Sequence, residues 1–253
     1  MFVRSSRLSV VEAIRGLAPF NLSTALLVLL GGALGGPAQY VLWALASALE
    51  WVSPKLIDDS GFVIEPGHFV ERHGLVVLIA IGESVIAVGI GARGLTVGSE
   101  LVVAALLGLA LSACLWWSHF GSHEEAPERA MRAAPQDKRP ALAVDAFGYC
   151  HLLILLGIIA VAAALRGAIA HPFDRLPLAE AVVLGCGASV FLFGQALFRH
   201  TLAIGSVRGR ALAAALALAT IPIGSQLALT GQITVLVGLF VAMLTAEGRP
   251  GTR

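Results

Sequence analysis

The chain alternates long, nearly uncharged apolar stretches with short polar or Gly/Pro-rich breaks. A helix crossing a bilayer needs about 20 predominantly apolar residues. On that pattern the sequence predicts spans at 17–30, 37–52, 73–92, 101–120, 146–165, 178–198, 211–229 and 232–246. The first two are short, and the stretch Gly31 to Pro37 (GGALGGP) separates them, so they form either two spans or a re-entrant pair. The last two are parted only by Thr230 and Gly231, with Pro222 inside the seventh. In lipid every backbone N–H and C=O needs an internal partner, which a helix supplies within one segment. The short alternating segments of a β-barrel are absent. The expected fold is therefore all-α: a polytopic transmembrane bundle of about eight spans, with 1–253 as one integral membrane domain.

Composition agrees. Hydrophobic residues make up 57% of the 253 positions and charged residues 13%, with a mean hydropathy of +0.86. Soluble domains carry roughly twice that share of charge. A net charge of +1 gives no nucleic-acid footprint. Cys114, Cys150 and Cys186 sit far apart in apolar stretches, odd in number and without CxxC spacing, so they read as packing residues. The first apolar run follows Arg4, Arg7 and Arg15 without a small-residue cleavage site, so it is expected to be a retained span.

Basic residues gather on the cytoplasmic side of membrane proteins. With eight spans, fourteen of the 17 Lys and Arg residues fall on the side of the two termini. Only Arg93, Arg166 and Arg175 fall on the other. Both termini are thus expected in the cytoplasm, and 121–144, with its mixed charges and three prolines, reads as a cytoplasmic loop. Ala211, Ala215 and Ala219 recur at helical spacing and suggest a helix-packing stripe.

Polar residues inside the apolar stretches are the candidates for function. The densest run is HFVERHGLVVLIAIGESVIAVG, His68 to Gly89. His68, Glu71 and Arg72 share one helical face near the membrane surface, as a gate or as an anchoring charge cluster. Glu83 lies near mid-span, where a carboxylate costs about 2.5–3.5 kcal/mol and commonly marks an ion path or a helix-locking contact. It shares a face with Arg72, but eleven residues at 1.5 Å rise separate the two by roughly 16 Å. His151, in the fifth span after Asp145 and Tyr149, is either a proton-exchanging group or a histidine bonded to a neighbouring backbone. His119 and His123 have an i, i+4 spacing that can hold a metal, but Gly121 lies between them, no HExxH pattern accompanies them, and no metal is expected. Ser84 reads as packing, Trp116 and Trp117 as an interfacial belt, and Gln195 and Gln226 as interhelical hydrogen-bond partners. Nucleotide-, haem- and hydrolase-type motifs are missing, so no cofactor and no catalytic constellation is expected.

The block HFVERHGLVVLIAIGESVIAVG resembles the signature of the bacterial low temperature requirement protein A family. LWWSHF at Leu115 to Phe120 and YCHLLILLGIIAVAAAL at Tyr149 to Leu165 resemble two later family blocks, in the same order. The resemblance covers essentially the whole chain, and its signature positions match His68, Glu71, Arg72, Gly82, Glu83 and His151. Family members usually begin with a further region carrying an ELFFDLVFV-like segment and a tryptophan-rich span, and this chain has neither. The resemblance implies a bacterial inner-membrane protein corresponding to the C-terminal two-thirds of a family member.

Two functions compete. One is a transporter or channel for a small ion or solute, proton-coupled through Glu83, with His151 as relay. The other is a non-transporting membrane protein that supports cold adaptation or envelope organisation. A membrane-embedded enzyme is a distant third. Expected partners are bilayer lipid and a small ion or solute, with a second copy of the chain left open.

Overall fold

The computed structural model describes residues 2–56, 64–121 and 125–248, without the side chains of 2–14 and 168. Among the described residues all regular structure is helical. Six stretches of the described residues are long and apolar enough to cross a bilayer: Arg15–Leu34, Pro66–Gly91, Ser99–Phe120, Arg139–Gly167, Leu178–Thr201 and Leu229–Glu247. In four of the six, 39% or less of the apolar stretch is buried inside the protein. Leu29, Ile79, Leu106 and Leu178 are 61–74% exposed, which suits lipid as solvent and not water.

The chain divides into two compact units, Met1–Glu65 with Pro135–Val144, and Pro66–Ala134 with Asp145–Arg253. The first is built on a hairpin of α1 (Phe2–Leu34) and α2 (Gly36–Leu56). The GGALGGP stretch acts as a turn only at its end, because α1 runs through Gly31 to Leu34. Gly35 and Gly36 then reverse the chain at φ +64° and +57°, a region that side chains disfavour. Gly31 admits the Trp43 indole, whose Nε1 donates to the Val28 carbonyl at 3.2 Å. The second expected span is thus a 21-residue helix, but its Glu50, Lys55 and polar positions leave it outside the six most apolar ones.

The second unit holds α3 (Pro66–Gly91), α4 (Ser99–Phe120), α5 (Ala126–Ala133), α7 (His151–Ala168), α8 (Leu178–Thr201), α9 (Arg208–Leu218), α10 (Ile221–Gln226) and α11 (Leu229–Glu247). Ahead of α7, α6 (Arg139–Leu142) runs into a π-helical stretch, Ala143–Cys150. Within this unit the neighbours close a ring: α7 packs on α3, α3 on α4, α4 on α11, α11 on α9, α9 on α8, and α8 on α7.

Small residues let α7 and α8 approach closely. A Cβ on Gly157 of α7 would lie 2.5 Å from the Phe191 nitrogen of α8, and one on Gly194 would lie 2.9 Å from the Ile154 nitrogen. Glycine at these crossings lets two backbones touch, which in lipid gives packing its strength. Between α3 and α4 the buried hydroxyls of Ser84 and Ser112 lie 2.9 Å apart, so Ser84 packs and also links helices. The three cysteines are free, with Cys114 and Cys150 buried.

Three local expectations change. The seventh span is broken: α9 stops at Leu218, and Pro222, which lacks an N–H, sits in the first turn of the short α10. Thr230 and Gly231 do not separate helices but lie inside α11, which begins after the extended Ala228. The buried face of α9 is Arg210, Ala213, Ala214 and Ala217, while Ala211, Ala215 and Ala219 are exposed. Residues 121–144 also contain α5, a short helix that buries Met131, with the surface ion pairs Arg129–Glu125 and Arg132–Glu128 beside it.

Candidate functional site

Ser118 in the last turn of α4, Gln195 and Arg199 near the end of α8, and Arg210 and Glu247 on α9 and α11 meet inside the ring. Arg210 is 1% exposed. Its Nε and Nη2 donate to the two Glu247 carboxylate oxygens, both at 2.9 Å. Its Nη1 donates to the Ser118 carbonyl and hydroxyl at 2.9 Å and to Gln195 Oε1 at 3.2 Å. A charge is tolerated in an interior when paired and saturated with acceptors in this way. Arg199 Nη1 lies 3.4 Å from Glu247 Oε2, at ion-pair distance, yet makes no hydrogen bond.

The network fixes proton positions on the neighbouring imidazoles. Arginine only donates, so the Gln195 oxygen faces Arg210 and its amide nitrogen faces His119 Nδ1, 2.7 Å away. His119 Nδ1 therefore accepts, and in the neutral ring Nε2 carries the proton. On α3, His73 Nδ1 lies 2.8 Å from the Phe69 carbonyl, which can only accept. In neutral His73 the proton is on Nδ1 and Nε2 is the free base.

His151 stands between these two rings. Its centroid is 5.6 Å from that of His73 and 5.6 Å from that of His119, edge-to-face with both. Phe147 and Phe198 flank it, each 5.4 Å away. The ring is 3% exposed, and neither nitrogen makes a hydrogen bond of good geometry, the His73 backbone being the polar group beside it. The π-helical stretch delivers His151 and Phe147 together; such widened turns recur at functional sites.

A cavity of about 700 Å³ reaches this floor. Its lining takes in His119, His151, Gln195 and Arg199, the rings of Trp116, Phe120, Phe147 and Phe198, and a wall of α3 residues from Gly67 to Leu78. Glu125, just ahead of α5, and Glu128 within it also line the cavity.

The residues singled out in the sequence divide. His151 is central. Glu71 is exposed and lines the cavity, with His68 Nδ1 at 3.7 Å. Arg72 is exposed and does not line it. Glu83 is exposed on α3, away from the lining. Gln195 bridges helices as expected; Gln226 is exposed, and Gln232 is the buried amide instead, donating to the Ala181 carbonyl at 3.0 Å. His123 and Glu124 lie outside the described residues. Among the described residues no group of three or more His, Cys, Asp or Glu side chains is placed to hold a metal. His73, Arg199, Arg210 and Glu247 were missed. The available signal for the last three was Arg and Glu next to apolar helix ends, where the two arginines count only toward the basic residues of the cytoplasmic side.

The family model for the bacterial low temperature requirement A protein (LtrA) matches residues 1–245. The chain belongs to the LtrA family. An uncharacterized protein of Rhizobium meliloti (strain 1021) is 29% identical to this LtrA chain over 167 residues, covering 62% of this chain and 40% of the relative's length. No solved structure matches it. Family membership and the six apolar helices make this LtrA protein an integral, multi-pass membrane protein.

Proposed function

We propose that this LtrA protein moves protons, alone or with a small solute, through the cavity lined by His119 and His151, with His73 packed against His151 outside the lining. One observation carries the reading: His151 is buried, neither of its nitrogens makes a hydrogen bond of good geometry, and it stands between an imidazole with a free base and one with a free N–H. Imidazole exchanges protons near neutral pH, and ionisable groups inside membranes commonly mark such paths. Glu83 has no part in this floor, so the proton-carrying role expected of it passes to the histidines.

The distribution of basic residues supports an orientation in the bacterial inner membrane with both termini cytoplasmic. The lining comes from the N-terminal part of α3 and the C-terminal ends of α4 and α8. In that orientation these ends are cytoplasmic, so the cavity opens to the cytoplasm.

The test is proton and ion flux into liposomes holding the purified protein, against protein-free liposomes and a His151→Phe variant. Flux that the folded variant lacks supports the reading. Absence of flux from folded wild-type protein across a panel of ions returns the chain to a non-transporting role.

A further inference from the structure

The cavity floor is not electrically balanced. Among the described residues, Arg199 and Arg210 share one carboxylate, Glu247. Two guanidiniums against one carboxylate leave one positive charge in a site where both arginines are more than nine-tenths buried. Arg210 spends its donors on Glu247, Ser118 and Gln195. Arg199 does not: its buried Nη1 has no hydrogen bond, although the residue lines the cavity. His151 lines it too, with no hydrogen bond of good geometry at either nitrogen. Unmatched buried donors are costly, most of all on a charged group, and a ligand oxygen would satisfy them.

The walls say what the rest of that ligand is. Leu75, Leu78, Phe147 and Phe198 are apolar, and about 700 Å³ is room for a small organic body. The carboxylates near the opening already have partners: Glu125 with Arg129 at 2.7 Å, Glu128 with Arg132, and Glu71 with His68 at 3.7 Å. A cation would meet the excess positive charge, and a dianion would overshoot it.

We infer that the cavity binds a small monocarboxylate, its head on Arg199 and His151 and its apolar body against Phe147, Phe198 and the Leu75–Leu78 wall. The planar guanidinium fork matches a carboxylate. The inference takes the same cavity as the proposed function and names its ligand class. Such a carboxylate comes either from the aqueous phase or from bilayer fatty acid.

Calorimetric titration of the full chain in neutral-lipid nanodiscs separates the cases, with empty nanodiscs subtracted. The probes are benzoate, decanoate and neutral benzamide. At least one carboxylate should bind, benzamide at least tenfold more weakly. Binding of benzoate indicates a water-borne ligand, and binding of decanoate alone a lipid-derived one. Arg199→Gln should weaken carboxylate binding at least tenfold. If that variant does not fold, Leu78→Trp, which fills the cavity from a half-exposed wall position, should do the same. Equal binding of benzoate and benzamide overturns the inference. So does undiminished binding in the folded variant, or no carboxylate binding to folded wild type. Binding without flux would sink the transport reading alone; flux without carboxylate binding would sink this one alone.

Discussion

Removing Arg210 and removing Glu247 should not cost the same. The Arg210 and Glu247 side chains are 1% and 9% exposed, so their pairing is little screened by water. Arg210→Met removes five hydrogen-bond contacts but leaves Arg199 and Glu247 as a neutral pair 3.4 Å apart. Losing one partner of a buried pair costs about 3–5 kcal/mol, and the remaining Arg199 sets the expected loss at the low end, about 3 kcal/mol. Glu247→Gln instead leaves two guanidiniums with no counterion. Their mutual repulsion is present in the wild type too, but there Glu247 offsets it; the variant loses the attraction of Glu247 for both cations at once, which places its cost at the upper end of the about 3–5 kcal/mol range for a broken buried pair. That variant should lose about 5 kcal/mol. The assay is unfolding by SDS in mixed micelles, followed by far-UV ellipticity, with Arg129→Ala as control. Arg129 and Glu125 are 64% and 83% exposed, so their pair should contribute under about 1 kcal/mol. The reasoning fails if Arg210→Met costs no more than the control, or if Glu247→Gln is the milder of the two buried changes.

Gly157→Leu should destabilise the protein by about 1–3 kcal/mol or prevent folding, because the Phe191 backbone occupies the space, whereas Gly82→Ala, with nothing within 4 Å, should be near neutral in the same titration. Ser84→Ala removes the hydroxyl that links α3 to α4 and should cost about 0.6–1.7 kcal/mol by the same measurement, with no effect on flux.

Much of the fold was legible because lipid imposes a simple rule on sequence: long apolar runs become helices. The Gly35–Gly36 reversal was visible for a similar reason, since positive φ recruits glycine. Faces were harder to read. α3 is apolar on nearly every side, so Glu83 stood out by depth, but nothing in the sequence told which way it pointed. The alanines of α9 form stripes in more than one register, and only the buried Arg210 reveals which faces inward. The candidate site was legible only in part. His151 could be singled out as a polar residue in an apolar run. Its meeting with His73 and His119 depends on α7 and α4 both packing on α3, a long-range arrangement that local spacing does not encode. Arg210 and Glu247 are 37 positions apart and were hidden by the same basic clustering that supports the orientation.

The most direct test compares His151→Phe with Glu83→Gln in one set of proteoliposomes under an imposed pH gradient. Phenylalanine keeps a ring among Phe147, Phe198 and the two histidines but cannot hold a proton. The account predicts that His151→Phe abolishes proton flux while Glu83→Gln, exposed and outside the cavity, retains it. Flux that survives in His151→Phe but vanishes in a folded Glu83→Gln would contradict it.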